Sequence, residues 1–264
     1  MAFARLNGVV LHHETRGSAD MPALVFANSL GTDFRIWNGV ADRLAARCRI
    51  VLYDKRGHGL SEASPAPYAL KDHVDDLSAL LDHLGVQRTV IVGLSVGGMI
   101  AQGLAALDPG RVAALVLCDT AHRIGTTEMW NARIDAVKGK GLASIADAVL
   151  ERWFTPAYRA PGNADFAGYK AMLVRTDPTG YVGTCAALRD ADLTESTRAL
   201  RLPVLLMVGD QDGSTPPDLV RSTASLIQGS EFRVIENAGH LPNIERPDAV
   251  ADLIGTFLAN TRYA

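Results

Sequence analysis

Short apolar runs alternate with amphipathic stretches along most of the chain, and this alternation narrows the fold more than any other feature. The runs are Val9–Leu11, Ala23–Ala27, Arg49–Tyr53, Thr89–Leu94, Ala113–Cys118, Pro203–Val208 and Glu231–Ile235. Several are apolar throughout, as expected of strands covered on both faces of a parallel sheet. Helical periodicity fills the intervals near Asp33–Ala46, Lys71–Leu84, Val96–Ala106, Pro217–Ile227 and Pro247–Leu258. Strand alternating with helix predicts an α/β fold with a doubly wound, mostly parallel sheet. The opening Phe3–Leu6, Asn7-Gly8, Val9–Glu14 reads as a hairpin, because Asn-Gly suits a tight primed turn. It predicts an antiparallel N-terminal edge.

The rhythm breaks between residues 121 and 199, which read as helical and contain Trp130 and Trp153. That stretch carries 10 Lys/Arg and 9 Asp/Glu, whereas the rest carries 16 and 20. We expect residues 1–120 and 200–264 to form the core domain and residues 121–199 a helical lid inserted into it.

Composition removes several function classes. Hydrophobic residues make up 48% and charged residues 21%, which excludes disorder and coiled coil. With 26 Lys/Arg against 29 Asp/Glu, no basic excess draws the chain to nucleic acid or to an anionic membrane. The longest apolar run, Val112–Cys118, is far below the roughly 20 residues of a membrane span. Cys48, Cys118 and Cys185 form no Cys-x-x-Cys pair, which argues against a disulfide scaffold or a zinc ribbon and suits a reducing compartment. The N-terminal residues hold no long apolar core. A cytoplasmic location is therefore expected, and the chain carries no signal of oligomeric state.

The most informative five residues are Gly93-Leu94-Ser95-Val96-Gly97. They follow the strong strand Thr89–Leu94 and open a helical pattern, which is the context of a nucleophile elbow. A tight strand-to-helix turn admits only small neighbours, and Gly93, Gly97 and Gly98 meet that demand. The helix N-terminus behind Ser95 offers free backbone N–H groups, so the Val96 N–H is one candidate oxyanion donor. A tight structural turn is the plain alternative. A dinucleotide loop is weaker, because Ser95 stands where that fingerprint needs its second glycine.

A serine needs a base to be nucleophilic at neutral pH. Of seven histidines, His240 stands in Ala238-Gly239-His240-Leu241-Pro242, after the strand Glu231–Ile235, where such a sheet places function. His73 and His83 fall in a helical pattern and read as surface residues. The orienting acid should follow the strand Pro203–Val208, where Asp210 and Asp212 compete. Asp212 lies further into the loop, before Thr215-Pro216, and has the longer reach to His240. Asp210 reads as a brace of the loop. The loop Asn28-Ser29-Leu30-Gly31-Thr32-Asp33 after the strand Ala23–Ala27 should supply the second oxyanion donor, with small Ser29 and flexible Gly31 letting the Leu30 N–H point inward.

Together these pieces resemble the α/β-hydrolase family over nearly the whole chain. Tyr53-Asp54-Lys55-Arg56-Gly57-His58-Gly59-Leu60-Ser61 is similar to that family's Asp-x-Arg-Gly-His-Gly-x-Ser loop, usually structural, so His58 is not assigned to catalysis. Most relatives have His-Gly where Asn28-Ser29 stands. That departure, with Gly93–Met99 and Glu151-Arg152-Trp153-Phe154-Thr155-Pro156, is similar to the 3-oxoadipate enol-lactonases. The resemblance implies a small anionic lactone substrate, opened by Ser95, His240 and Asp212 with no cofactor and no metal. An anion needs a cation or a bundle of N–H groups in the pocket. Arg133 lies three residues after Trp130, so both can share one helical face. Trp153 is a second candidate wall. The alternatives are another esterase, lactonase or cofactor-free perhydrolase of the same fold, and a non-catalytic receptor for a small ligand. A solvated Arg133 beside a packing Trp130 is the alternative for the pocket.

Overall fold

The structure is a computed structural model that describes residues 1–261 and 263. Eight strands form one sheet: β1 (Ala2–Leu6), β2 (Val9–Arg16), β3 (Ala23–Ala27), β4 (Arg49–Tyr53), β5 (Thr89–Leu94), β6 (Val112–Cys118), β7 (Val204–Gly209) and β8 (Glu231–Ile235). Their order is β1-β2-β4-β3-β5-β6-β7-β8. Only the β1–β2 and β2–β4 pairs are antiparallel; the rest are parallel. Asn7 (φ 45°) and Gly8 (φ 80°) both adopt positive φ, the conformation that a primed two-residue turn requires.

Every residue of β3, β5 and β7 is buried, which accounts for their unbroken apolar sequences. Edge strand β8 exposes Arg233 and Val234.

Chain direction explains where the helices lie. The connection from β3 to β4 moves one way across the sheet, and the connections from β4 onward move the other way. Right-handed crossovers then place α1 (Asn38–Leu44) on one face and α2 (Leu70–His83), α3 (Val96–Leu107) and α9 (Pro217–Leu226) on the opposite face. The contacts agree: α1 packs on α11 (Pro247–Asn260), which follows the short α10 (Pro242–Glu245), and α2 packs on α3. The reversal falls between β3 and β5. A crevice outside their C-terminal ends is where a doubly wound sheet binds its ligand.

Between β6 and β7 the chain forms helices α4 (Thr127–Lys140), α5 (Ala146–Trp153), α6 (Ala164–Val174), α7 (Pro178–Asp190) and α8 (Thr194–Arg198). Helix α4 packs along α7, whereas α8 packs on α3 and α9 beneath them. No helix among the described residues is long and apolar enough to cross a membrane.

One expectation is overturned. His73 is not a surface residue: it is 1% exposed, and its Nε2 lies 3.3 Å from the Thr184 hydroxyl of α7. Burial pushes its imidazole down to about 3, so it is neutral at any physiological pH. Its helical spacing is as read, but α7 covers that face.

Candidate active site

The turn from β5 into α3 holds Ser95 in a strained backbone, φ 57° and ψ −121°, which a non-glycine residue rarely adopts. Space around it is restricted as the glycines imply. A Cβ on Gly97 would strike the Ala27 carbonyl of β3, and one on Gly98 would strike the Thr120 side chain. The Ser95 N–H donates to the Cys118 carbonyl at 3.0 Å, and the Ser95 carbonyl accepts from the Thr120 hydroxyl at 2.6 Å. The strain is thus held from β6.

His240 follows β8 and is buried. Its Nδ1 lies 2.9 Å from Asp212 Oδ2. A carboxylate only accepts, so the proton sits on Nδ1 and leaves Nε2 as a base. Asp212 Oδ2 also accepts from the Thr215 hydroxyl at 2.6 Å, and Oδ1 accepts the N–H groups of Ser214 and Thr215 at 2.7 and 3.0 Å. Burial pushes the Asp212 carboxyl up. His240 and these donors outweigh that and hold it below the usual carboxylate range. Asp210 instead accepts the Ala238 N–H at 3.1 Å from an exposed position, the bracing part read for it.

The loop after β3 lies across from the elbow. Leu30 and Ser95 line the same cavity. Among the described residues, the N–H groups of Leu30 and Val96 have no acceptor within the protein.

That cavity is about 100 Å³ and also reaches His240, Trp130, Arg133 and Trp153. All the residues proposed from sequence for binding are therefore brought to it. The Arg133 guanidinium stacks 5.0 Å from the Trp130 ring centroid, and the Trp130 indole N–H donates to the Ile124 carbonyl at 2.7 Å. Trp130 therefore both packs α4 and walls the cavity.

Sequence reasoning missed Arg152 and Tyr181 in that wall. Burial, and then the neighbouring Arg133, push the Arg152 guanidinium down. No Asp or Glu lines the cavity, and neither arginine is ion-paired among the described residues.

Asp119 was missed as well. It is fully buried at the end of β6, and its Oδ1 accepts the Gly209 N–H at 2.9 Å. Ligand atoms of Asp119, Asp212 and His240 lie within 4.8 Å of one another. Burial, and then the Asp212 charge, push the Asp119 carboxyl well above the usual carboxylate range. Both effects favour its neutral form. Its signal was its place: a polar residue directly after a buried parallel strand, at the functional end of the sheet.

Two contacts tie the 121–199 stretch to the loops of His240 and Asp212. Glu245 accepts the Gly239 N–H at 2.8 Å and the Thr155 hydroxyl at 2.6 Å, and the Gly213 N–H donates to the Arg152 carbonyl at 3.2 Å.

Comparison with known proteins agrees with this architecture. Residues 22–247 match the alpha/beta hydrolase fold family. The chain is 34% identical over 241 residues to 3-oxoadipate enol-lactonase 2 of Acinetobacter baylyi, covering 91% of this chain and 90% of that one. It is 32% identical over 251 residues to 3-oxoadipate enol-lactonase 1 of the same organism, covering 95% and 94%. The crystal structure of the enol-lactonase from Burkholderia xenovorans LB400 superposes with a TM-score of 0.95 at 36% identity, covering 98% of this chain and 100% of that one. The chain belongs to the α/β-hydrolase fold family, among relatives that include the 3-oxoadipate enol-lactonases.

Proposed function

We propose that this protein is a serine hydrolase that opens the ring of 3-oxoadipate enol-lactone to give 3-oxoadipate, a step in bacterial degradation of aromatic compounds. One observation carries the substrate class: Ser95 and His240 face a small cavity whose wall, among the described residues, holds two guanidiniums without an ion-pair partner and no carboxylate. Such a wall suits a small planar anion. The enol-lactonase relatives support the particular anion.

Ser95 is the nucleophile, His240 the base and Asp212 the group that orients His240 and stabilises its imidazolium. Ser95 Oγ attacks the lactone carbonyl as its proton passes to His240 Nε2. The oxyanion is held by the Leu30 and Val96 N–H groups. Collapse breaks the ring C–O bond, and His240 returns the proton to the departing enol oxygen. That oxygen leaves more readily than an alkoxide, and the enol becomes a ketone, so reclosure is disfavoured. Water, deprotonated by His240, then attacks the acyl carbonyl, and Ser95 regains its proton as the product leaves.

Residues 121–199 act as a lid over the core formed by residues 1–120 and 200–264, and Arg133, with Trp130 and Trp153, holds the substrate carboxylate and ring. We place the enzyme in the cytoplasm, where the buried thiols of Cys48, Cys118 and Cys185 stay reduced.

Substrate recognition is tested on Arg133→Ala. A charged contact in a partly dry pocket is worth about 1.5–3 kcal/mol. The variant should lose about 10- to 150-fold in kcat/KM for the enol-lactone and far less for a neutral ester of similar size. Equal losses for both substrates would assign Arg133 to lid packing. The reaction itself is tested by product analysis: the enol-lactone should be converted mole for mole to 3-oxoadipate. Consumption without that product would reject the proposed function.

A further inference from the structure

Beneath the oxyanion loop lies an ionisable side chain that the reaction above does not use. Lys55, directly after Asp54 at the end of β4, is 1% exposed. Its ammonium donates to the Ser29 carbonyl at 2.6 Å and reaches the Thr32 carbonyl at 3.5 Å. The Ser29 carbonyl also accepts the Thr32 hydroxyl at 2.9 Å and the Thr32 N–H at 3.3 Å. Three donors thus converge on one oxygen, which has two lone pairs.

The Ser29–Leu30 peptide is trans, so its C=O and N–H point in opposite directions. Pinning the Ser29 oxygen toward Lys55 therefore turns the Leu30 N–H the other way, away from Lys55. Leu30 lines the Ser95 cavity, and this N–H has no acceptor among the described residues. An ammonium at the carbonyl oxygen also polarises the amide and strengthens its N–H as a donor. In a water-excluded site, a fixed positive charge behind developing negative charge acts with little screening.

We propose that Lys55 is a positioning residue for the oxyanion hole, with its ammonium fixing the Ser29–Leu30 peptide and polarising it toward the charge that forms on the substrate. The proposal rests on Ser95 being the nucleophile, but not on the identity of the lactone.

The charged groups around Lys55 set its pH response. Burial pushes the ammonium down to about 7, against Asp54 and Asp33, which favour its charge. Asp54 is itself held by His12 Nδ1 at 2.7 Å and by the N–H groups of Phe34 and Leu60. His58 and His73 also lie close enough to feel its charge. Burial holds the first well below the usual histidine range and the second at about 3, so both stay neutral. Arg56 is paired with Asp76 and keeps its charge. Raising the pH through about 7 therefore discharges Lys55 and should lower kcat.

The test uses p-nitrophenyl acetate, whose hydrolysis needs the elbow and the oxyanion hole but no recognition of a carboxylate. A wrong substrate assignment would therefore leave it standing. Lys55→Met keeps an unbranched stem and removes donor and charge. Losing one oxyanion donor outright lowers kcat by about 10²–10³-fold, so a misaimed one should cost about 10- to 100-fold, with KM little changed. Phenylboronic acid, which forms a tetrahedral adduct on the serine, should lose affinity by the same factor. The alkaline decline of wild-type kcat should be missing from the variant. Wild-type kcat in Lys55→Met, or a loss of kcat without a matching loss of boronate affinity, would overturn the proposal. If that variant does not fold, Lys55→Gln takes its place with the same kcat and boronate readouts, and wild-type kcat in it would overturn the proposal equally.

Discussion

Ser95→Ala is expected to lower kcat by about 10⁶-fold, the scale seen when the serine is removed from another serine hydrolase of this mechanism. The fold should survive, because the Ser95 side chain caps no backbone group of α3 and the strained φ of 57° is held through its backbone by Cys118 and Thr120. Alanine at that position meets the same strain without adding bulk. Substrate should still bind, since the cavity wall is otherwise unchanged. Residual turnover should match what an oxyanion hole and positioning supply alone. A pure, folded Ser95→Ala sample with near wild-type kcat would remove Ser95 from the mechanism.

Asp212→Asn should lower kcat by about 10⁴-fold, as the equivalent change does in a known triad. Asp212 Oδ2 lies 2.9 Å from His240 Nδ1, and three further donors surround its carboxylate. The amide is nearly the same shape, so the loop should hold. Its NH₂, however, favours the imidazole tautomer with the proton on Nε2, which cannot accept a proton from Ser95. Asp210→Asn should change kcat far less, since among the described residues the Asp210 side chain accepts only the Ala238 N–H. The two variants, assayed side by side, test the assignment through their order. The reverse order would move the acid to Asp210.

What the sequence made legible follows from what is encoded locally. β3 and β5 are buried on both faces, so their sequences are unbroken apolar runs and their ends were read to the residue. The elbow was legible because a tight turn demands small neighbours at fixed offsets from Ser95. Asp212 was separable from Asp210 because reach along a loop is a matter of position. The misses share a different cause. Whether His73 is exposed depends on Thr184, 111 residues away, closing over α2. Arg152 and Tyr181 reach the cavity only because α5 and α7 fold over the sheet, and the sequence of neither helix shows what it folds against. Lys55 was read only as part of a structural loop, because its partner carbonyl on Ser29 belongs to a different strand's loop. In each case the decisive neighbour is distant in sequence.

The most direct measurement is kcat/KM of the purified protein for 3-oxoadipate enol-lactone beside p-nitrophenyl acetate. The two guanidiniums of the cavity can act only on the charged substrate, whereas Ser95, His240 and the oxyanion donors serve both. The account predicts a value for the enol-lactone in the usual enzymatic range of about 10⁴–10⁸ M⁻¹s⁻¹. It should exceed that for the neutral ester by at least the roughly 10- to 150-fold assigned to Arg133. An enol-lactone value at or below that for p-nitrophenyl acetate would contradict it.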